Sequence, residues 1–175
     1  MRPAFPYRGA NANARKAAVL PALPPLPIAK ADIEKLIPHA GAMHLLDGVS
    51  ALEEAWLEAW SEGHRAPDHP LRADGRLPAS AAIEYASQAI ATHTALVSIA
   101  RARPPIGYLA VLSGVRWACT RLDDVPGRLS VRVERLSATR TGLLYDFAVS
   151  GPDVPLVSGQ QLIALIEDDD GGARP

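Results

Sequence analysis

From residue 30 onward the chain alternates between two hydrophobic rhythms. Near the C-terminus come four runs with strand character: IGYLAVLSGVRWAC (106–119), GRLSVRVERLSA (127–138), GLLYDFAVSG (142–151) and LVSGQQLIALIE (156–167). Gly, Pro or Asp turn signals bound each of them. Ahead of them, GRLPASAAIEYASQAIATHTAL (75–96) opens on a turn and continues as a helix predicted over about 79–101. KADIEKLIP (30–38) predicts a short helix that stops near Pro38. MHLLDGVSALEEAWLEAWSEG (43–63) predicts two strands, about 43–51 and 54–63, with a turn at Glu53-Glu54. The period there is ambiguous, because ALEEAWLEAW also satisfies a helical repeat.

The predicted order is helix, two strands, long helix, four strands. A single long helix must bury its apolar side, and an antiparallel sheet curled around it is the economical way to do so. Small residues such as Ala82, Ala86, Ser87, Ala89 and Ala91 allow helix and sheet to approach closely. This α+β arrangement is the hotdog fold. Apolar positions on the helix and in YLAVL (108–112) are expected to line a narrow slot ending near Glu84.

The ends differ from this middle. Residues 1–29 hold six of the chain's sixteen prolines and read as an extended, largely unstructured arm. Residues 168–175 read as an acidic, solvated tail, which leaves 30–167 as the hotdog domain. A formal net charge of −1 supplies no general field for nucleic acid. Cys119 is the only cysteine, so no disulfide can form within the chain. No apolar run is long enough for a membrane span, and no secretory signal is apparent, so a cytoplasmic protein is expected.

The chemistry gathers on the long helix. Glu84 is a lone acid in an otherwise small and apolar stretch, and Gln88 follows one turn later. Two segments, LIPHAGAMHLLDGVSALEE (36–54) and LPASAAIEYASQA (77–89), resemble bacterial 3-hydroxyacyl-ACP dehydratases. The wording is most similar to a divergent branch found in clusters that make aryl polyene and xanthomonadin-type pigments. With the later strands, the resemblance spans roughly residues 30–167. It implies a dimer whose site takes a His from one subunit and an acid from the other subunit's central helix. Glu84 matches that acid, Gln88 the supporting glutamine, and Pro78-Ala79 the turn before the helix. For the His, EGHRAPDHPLRADGRLPAS (62–80) offers two candidates. His69 stands fifteen positions before Glu84 and is the nearer in spacing; His64 stands twenty before it, in the family's Gly-His dipeptide.

Dehydration of a 3-hydroxyacyl thioester needs a base for the C2 proton, an acid for the departing hydroxyl and a donor for the thioester oxygen. A neutral imidazole suits the first task. A carboxyl on a dry helix face suits the second. Free N–H groups at the helix start, around Ala79 and Ser80, suit the third. No metal or organic cofactor is required. The partners implied are an acyl carrier protein bearing a phosphopantetheine-linked chain and a second hotdog subunit, identical or different. Arg65, Arg72, Arg76, Arg101 and Arg103 are candidates to meet the carrier or its phosphate. His39 and His44 flank the first strand and read as structural; His93 reads as packing. Two further functions remain open: a hotdog thioesterase using Glu84 alone, and a non-catalytic partner that shapes an active dehydratase.

Overall fold

The computed structural model describes residues 25–98, 107–152 and 154–166. Seven strands form one antiparallel sheet in the order β1-β2-β3-β5-β6-β7-β4. These are β1 (Ile28–Ala29), β2 (Gly48–Leu52), β3 (Trp56–Ser61), β4 (Gly107–Trp117), β5 (Leu129–Ala138), β6 (Gly142–Ser150) and β7 (Pro155–Leu165). The long helix α2 (Ala81–Val97) crosses the concave face and packs on β3, β5 and β6. A one-turn helix α1 (Lys30–Ile33) follows β1. This is the hotdog architecture.

Period decides these elements locally. The stretch that satisfied both rhythms is strand: β3 alternates half-buried and buried positions, with Leu57, Ala59 and Ser61 turned inward. On β5 and β6 the same alternation aims Leu129, Val131, Val133, Tyr145, Phe147 and Val149 at the helix. The helix answers with Ala82, Tyr85, Ala86, Ala89, Ile90, His93 and Leu96, all buried at spacings of three and four. Each fully buried aliphatic side chain in this interface contributes about 1.5–3 kcal/mol. Opposite Gly48, the Trp60 ring lies where a Cβ would stand, so only glycine fits that pair.

Several boundaries move. The sheet begins at Ile28, inside the segment read as an arm, because Ile28 and Ala29 pair with Val49 and Gly48. Residues 1–24 and 167–175 lie outside the described residues, as does the predicted end of α2 at 99–101. The predicted helix after Lys30 is a single turn. The first long strand starts at Gly48 rather than Met43, because Gly41, at φ 56°, opens a 3-10 turn over Gly41–Met43. Leu45 and Leu46 are buried without joining the sheet, and the Leu45 N–H bonds to a side chain of α2 instead.

The start of α2 is held from outside. Leu77 O accepts from Leu122 N–H, Pro78 bridges Arg121, and Ala79 N–H donates to Thr120 O. Asp123 closes this junction: its carboxylate accepts from Arg72, Arg121 and the Leu77 N–H at 2.6–3.1 Å. The Arg121 hydrogen bonds, together with the Leu77 N–H, hold its carboxyl well below the usual carboxylate range.

β4 forms one edge of the sheet. Among the described residues it pairs only with β7, and α2 packs mainly on β3, β5 and β6 instead. Tyr108, Leu109, Val111 and Trp117 are exposed along it. Within one chain YLAVL therefore lines no slot beside Glu84; it is an open apolar edge. Among the described residues no helix is long and apolar enough to cross a membrane.

Candidate active site

Glu84 lies half-buried in the first turn of α2. Its Oε1 accepts from Gln88 Nε2 at 2.8 Å and lies 3.0 Å from His39 Nε2. The Gln88 amide is wholly buried and does three jobs: its Nε2 also donates to Met43 O (2.8 Å), and its Oε1 accepts from Leu45 N–H (3.0 Å). The i, i+4 spacing places Gln88 directly above Glu84. The chain leaving Pro38 brings His39 alongside. Glu84 is thus braced by two donors on one oxygen, and Oε2 accepts no hydrogen bond among the described residues. The dry wall expected around it is absent within a single chain, since its side chain is 31% exposed.

His39, read from the sequence as structural, is the imidazole this chain brings to Glu84. The only signal for it was its place in LIPHAG, just after the proline that ends the first helical turn. Its Nδ1 is buried without a partner among the described residues, as are those of His44 and His64. The His39 and His44 rings meet edge to face at 6.4 Å.

The two loop histidines go elsewhere. His64 is fully buried and its Nε2 donates to Val125 O (3.0 Å), so this chain offers it no route to a substrate at Glu84. His69 is buried against Tyr85, the residue after Glu84 but about 100° further round the helix. Its Nε2 lies 2.9 Å from the Tyr85 hydroxyl, and its Nδ1 accepts from Leu71 N–H at 3.2 Å. Burial pushes the pKa of both imidazoles down, with Arg65 beside His64 and Arg72 beside His69 acting the same way. Tyr85, which carries no functional signal in the sequence, borders a cavity of about 150 Å³ with Lys30, His44, Asp47 and His69. Glu84 does not line that cavity.

At the helix start the oxyanion expectation narrows. Ala79 N–H is taken by Thr120 O, and the N–H groups of Ala81, Ala82 and Ile83 are taken by Pro78, Ala79 and Ser80 carbonyls. The exposed Ser80 N–H alone among these makes no hydrogen bond to the described residues. Of the arginines, Arg72 is bound into the Asp123 junction, while Arg65 and Arg76 are exposed. Arg101 and Arg103 lie outside the described residues. No group of three or more His, Cys, Asp or Glu among the described residues is placed to hold a metal ion.

This combination of one long helix and an antiparallel sheet has counterparts among known proteins. Residues 31–163 match the family model described as ApeP dehydratase. The chain belongs to the ApeP-like dehydratase family. Among solved structures, this ApeP-like chain is similar to the dehydratase heterocomplex ApeI:P from Xenorhabdus doucetiae. The identity is 21%, the TM-score 0.69, and the match covers 83% of this chain and 94% of that one. It is also similar to thioesterase HI1161 from Haemophilus influenzae, at 12% identity and TM-score 0.58, covering 83% and 96%. A third is a hypothetical thioesterase with coenzyme A from Streptococcus pneumoniae, at 11% and 0.55, covering 79% and 97%. At these identities the solved structures establish the hotdog fold of the ApeP-like chain. No curated protein matches it.

Proposed function

We propose that this ApeP-like chain is one subunit of a two-subunit hotdog dehydratase. It removes water from a 3-hydroxyacyl thioester carried on the phosphopantetheine arm of an acyl carrier protein. The observation that carries this reading is the bracing of Glu84. With Oε1 fixed by Gln88 and His39, Oε2 is left to hold a proton for the departing 3-hydroxyl. Negative charge building on the thioester oxygen meets the Ser80 N–H at the positive end of α2. The C2 proton goes to an imidazole of the second subunit. The 3-hydroxyl leaves as water with the proton from Glu84, and a trans-2-enoyl thioester remains. The imidazolium of the second subunit gives its proton to solvent and the Glu84 carboxylate takes one back from solvent, which restores both groups.

Two features favour a second subunit. The outer edge of β4 is eleven residues long and unpaired among the described residues, which invites strand pairing. Both ring nitrogens of His69 are already engaged within its own chain, which leaves the base to come from elsewhere. The likeness to a dehydratase heterocomplex supports the same reading.

The test compares the purified chain alone with the chain mixed with a hotdog dehydratase subunit that bears a base. Substrates are 3-hydroxyacyl-carrier thioesters of several lengths, and both enoyl formation and thiol release are followed. Enoyl product is expected only from the pair. Glu84→Gln in this chain should lower it by about 10²–10⁴-fold, and His69→Ala should have little effect. Enoyl formation by the chain alone, abolished by His69→Ala, refutes the two-subunit reading. Thiol release that depends on Glu84 makes the protein a thioesterase instead.

A further inference from the structure

His69 stands at the end of a row of polar groups that the mechanism above does not use. At the far end, Asp47 accepts from Lys30 Nζ (3.2 Å) through Oδ1, and from Glu62 N–H (2.7 Å) and Ser61 Oγ (3.3 Å) through Oδ2. Ser61, wholly buried, is a near neighbour of the Tyr85 hydroxyl. That hydroxyl meets His69 Nε2, and Leu71 N–H donates to His69 Nδ1. The direction of every bond follows from the two ends. A backbone N–H can only donate, so Nδ1 is the acceptor and the proton of the neutral ring sits on Nε2. A carboxylate can only accept, so the Ser61 proton points at Asp47. With the ring proton on Nε2, Tyr85 Oη receives Nε2–H, and its own proton points away from the ring.

We propose that Tyr85, together with the Leu71 N–H, is a positioning residue that locks His69 as its Nε2–H tautomer, with both ring nitrogens engaged inside their own chain. The lock deepens the two-subunit reading, and rests on it for its consequence: it withholds this chain's loop imidazole from the C2 proton and requires the partner to supply one. The tautomer itself is a property of this chain alone. Other charged or titratable groups near the ring are Arg72, His64 and Asp68, with Lys30, His44 and Asp47 around the adjoining cavity. None of these hydrogen-bonds to either ring nitrogen, so none competes with Tyr85 or Leu71 for the ring.

The test is long-range proton–nitrogen NMR of the imidazoles in the full chain. His69 is assigned by the signal lost in His69→Gln. The wild type should show one His69 tautomer, protonated at Nε2, with a ring N–H protected from exchange. Tyr85→Phe keeps the ring in place but removes its acceptor, and exchange should rise roughly tenfold, the worth of one hydrogen bond. Ser61→Ala loosens the Tyr85 hydroxyl, so the ring N–H should exchange faster; this variant carries the test if Tyr85→Phe does not fold. An Nδ1–H tautomer in the wild type overturns the lock. So does an unchanged ring signal in both folded variants. A His69→Ala variant that kills dehydration while the NMR behaves as expected refutes the two-subunit reading and leaves the lock standing. A silent His69→Ala with failed NMR does the reverse.

Discussion

Replacing Gln88 by Met removes three hydrogen bonds while nearly keeping the volume, so it isolates the polar role of a buried amide. In the wild type Gln88 satisfies the Leu45 N–H and the Met43 carbonyl, both on the irregular segment before β2. Without it each loses its partner, at about 1–3 kcal/mol for a group left dry. Glu84 next door is 31% exposed, so water can reach part of the gap and the sum falls short of the maximum. About 3 kcal/mol is expected, a large share of the 5–15 kcal/mol that holds a domain together. For a chain of this size that is about 6–12 °C in Tm. Urea denaturation of wild type and Gln88→Met, compared at equal slope, measures it. Gln88→Glu keeps an acceptor for Leu45 but loses the donor to Met43 and sets a carboxylate against Glu84. Its loss should be at least as large at neutral pH and should shrink in mild acid. A cost below about 1 kcal/mol for Gln88→Met refutes the view of this amide as the strut between α2 and the segment carrying His39.

The open edge and the buried imidazoles give two further expectations. Val111→Lys places a charge mid-strand on β4 and should abolish pairing with a second subunit while leaving the far-ultraviolet spectrum intact; sedimentation of the mixture checks it. Burial holds the pKa of His64, His69 and His93 below the ordinary value, so the unfolded chain binds more protons than the folded one in mild acid. Stability should therefore be level above about pH 6.5 and decline as pH falls below it; a flat urea midpoint between about pH 7 and 5 counts against this.

The strands and the long helix were legible because their burial follows a single period, and β5, β6 and β7 start within two residues of the expected turns. Glu84 and Gln88 could be found as polar residues one helical turn apart on an apolar background. The partners of the site were not legible in the same way. His39 reaches Glu84 through a segment of 3-10 turn and irregular backbone, whose path no periodicity encodes. His69 and His64 stood at suggestive spacings, yet whether a ring faces a cavity or a carbonyl depends on the fold of the 63–78 loop. Tyr85 fits the core pattern of α2, and that pattern says nothing of where its hydroxyl bonds. Ala79 lost its expected role to Thr120, forty-one positions away, by a bridge that only the assembled sheet creates.

The Asp123 junction changes what kind of segment the 63–78 stretch is. By secondary structure it is mostly loop, the sort of region that ordinarily opens and closes on its own. Here Arg72 and Leu77 are fastened to residues 120–123, which lead directly into β5, and the same fastening holds the first turn of α2. Opening the segment therefore means tearing out a buried carboxylate together with the helix start. The stretch is expected to unfold together with helix and sheet, its fastened amides, such as the Leu77 N–H, exchanging on the timescale of the core rather than of the surface.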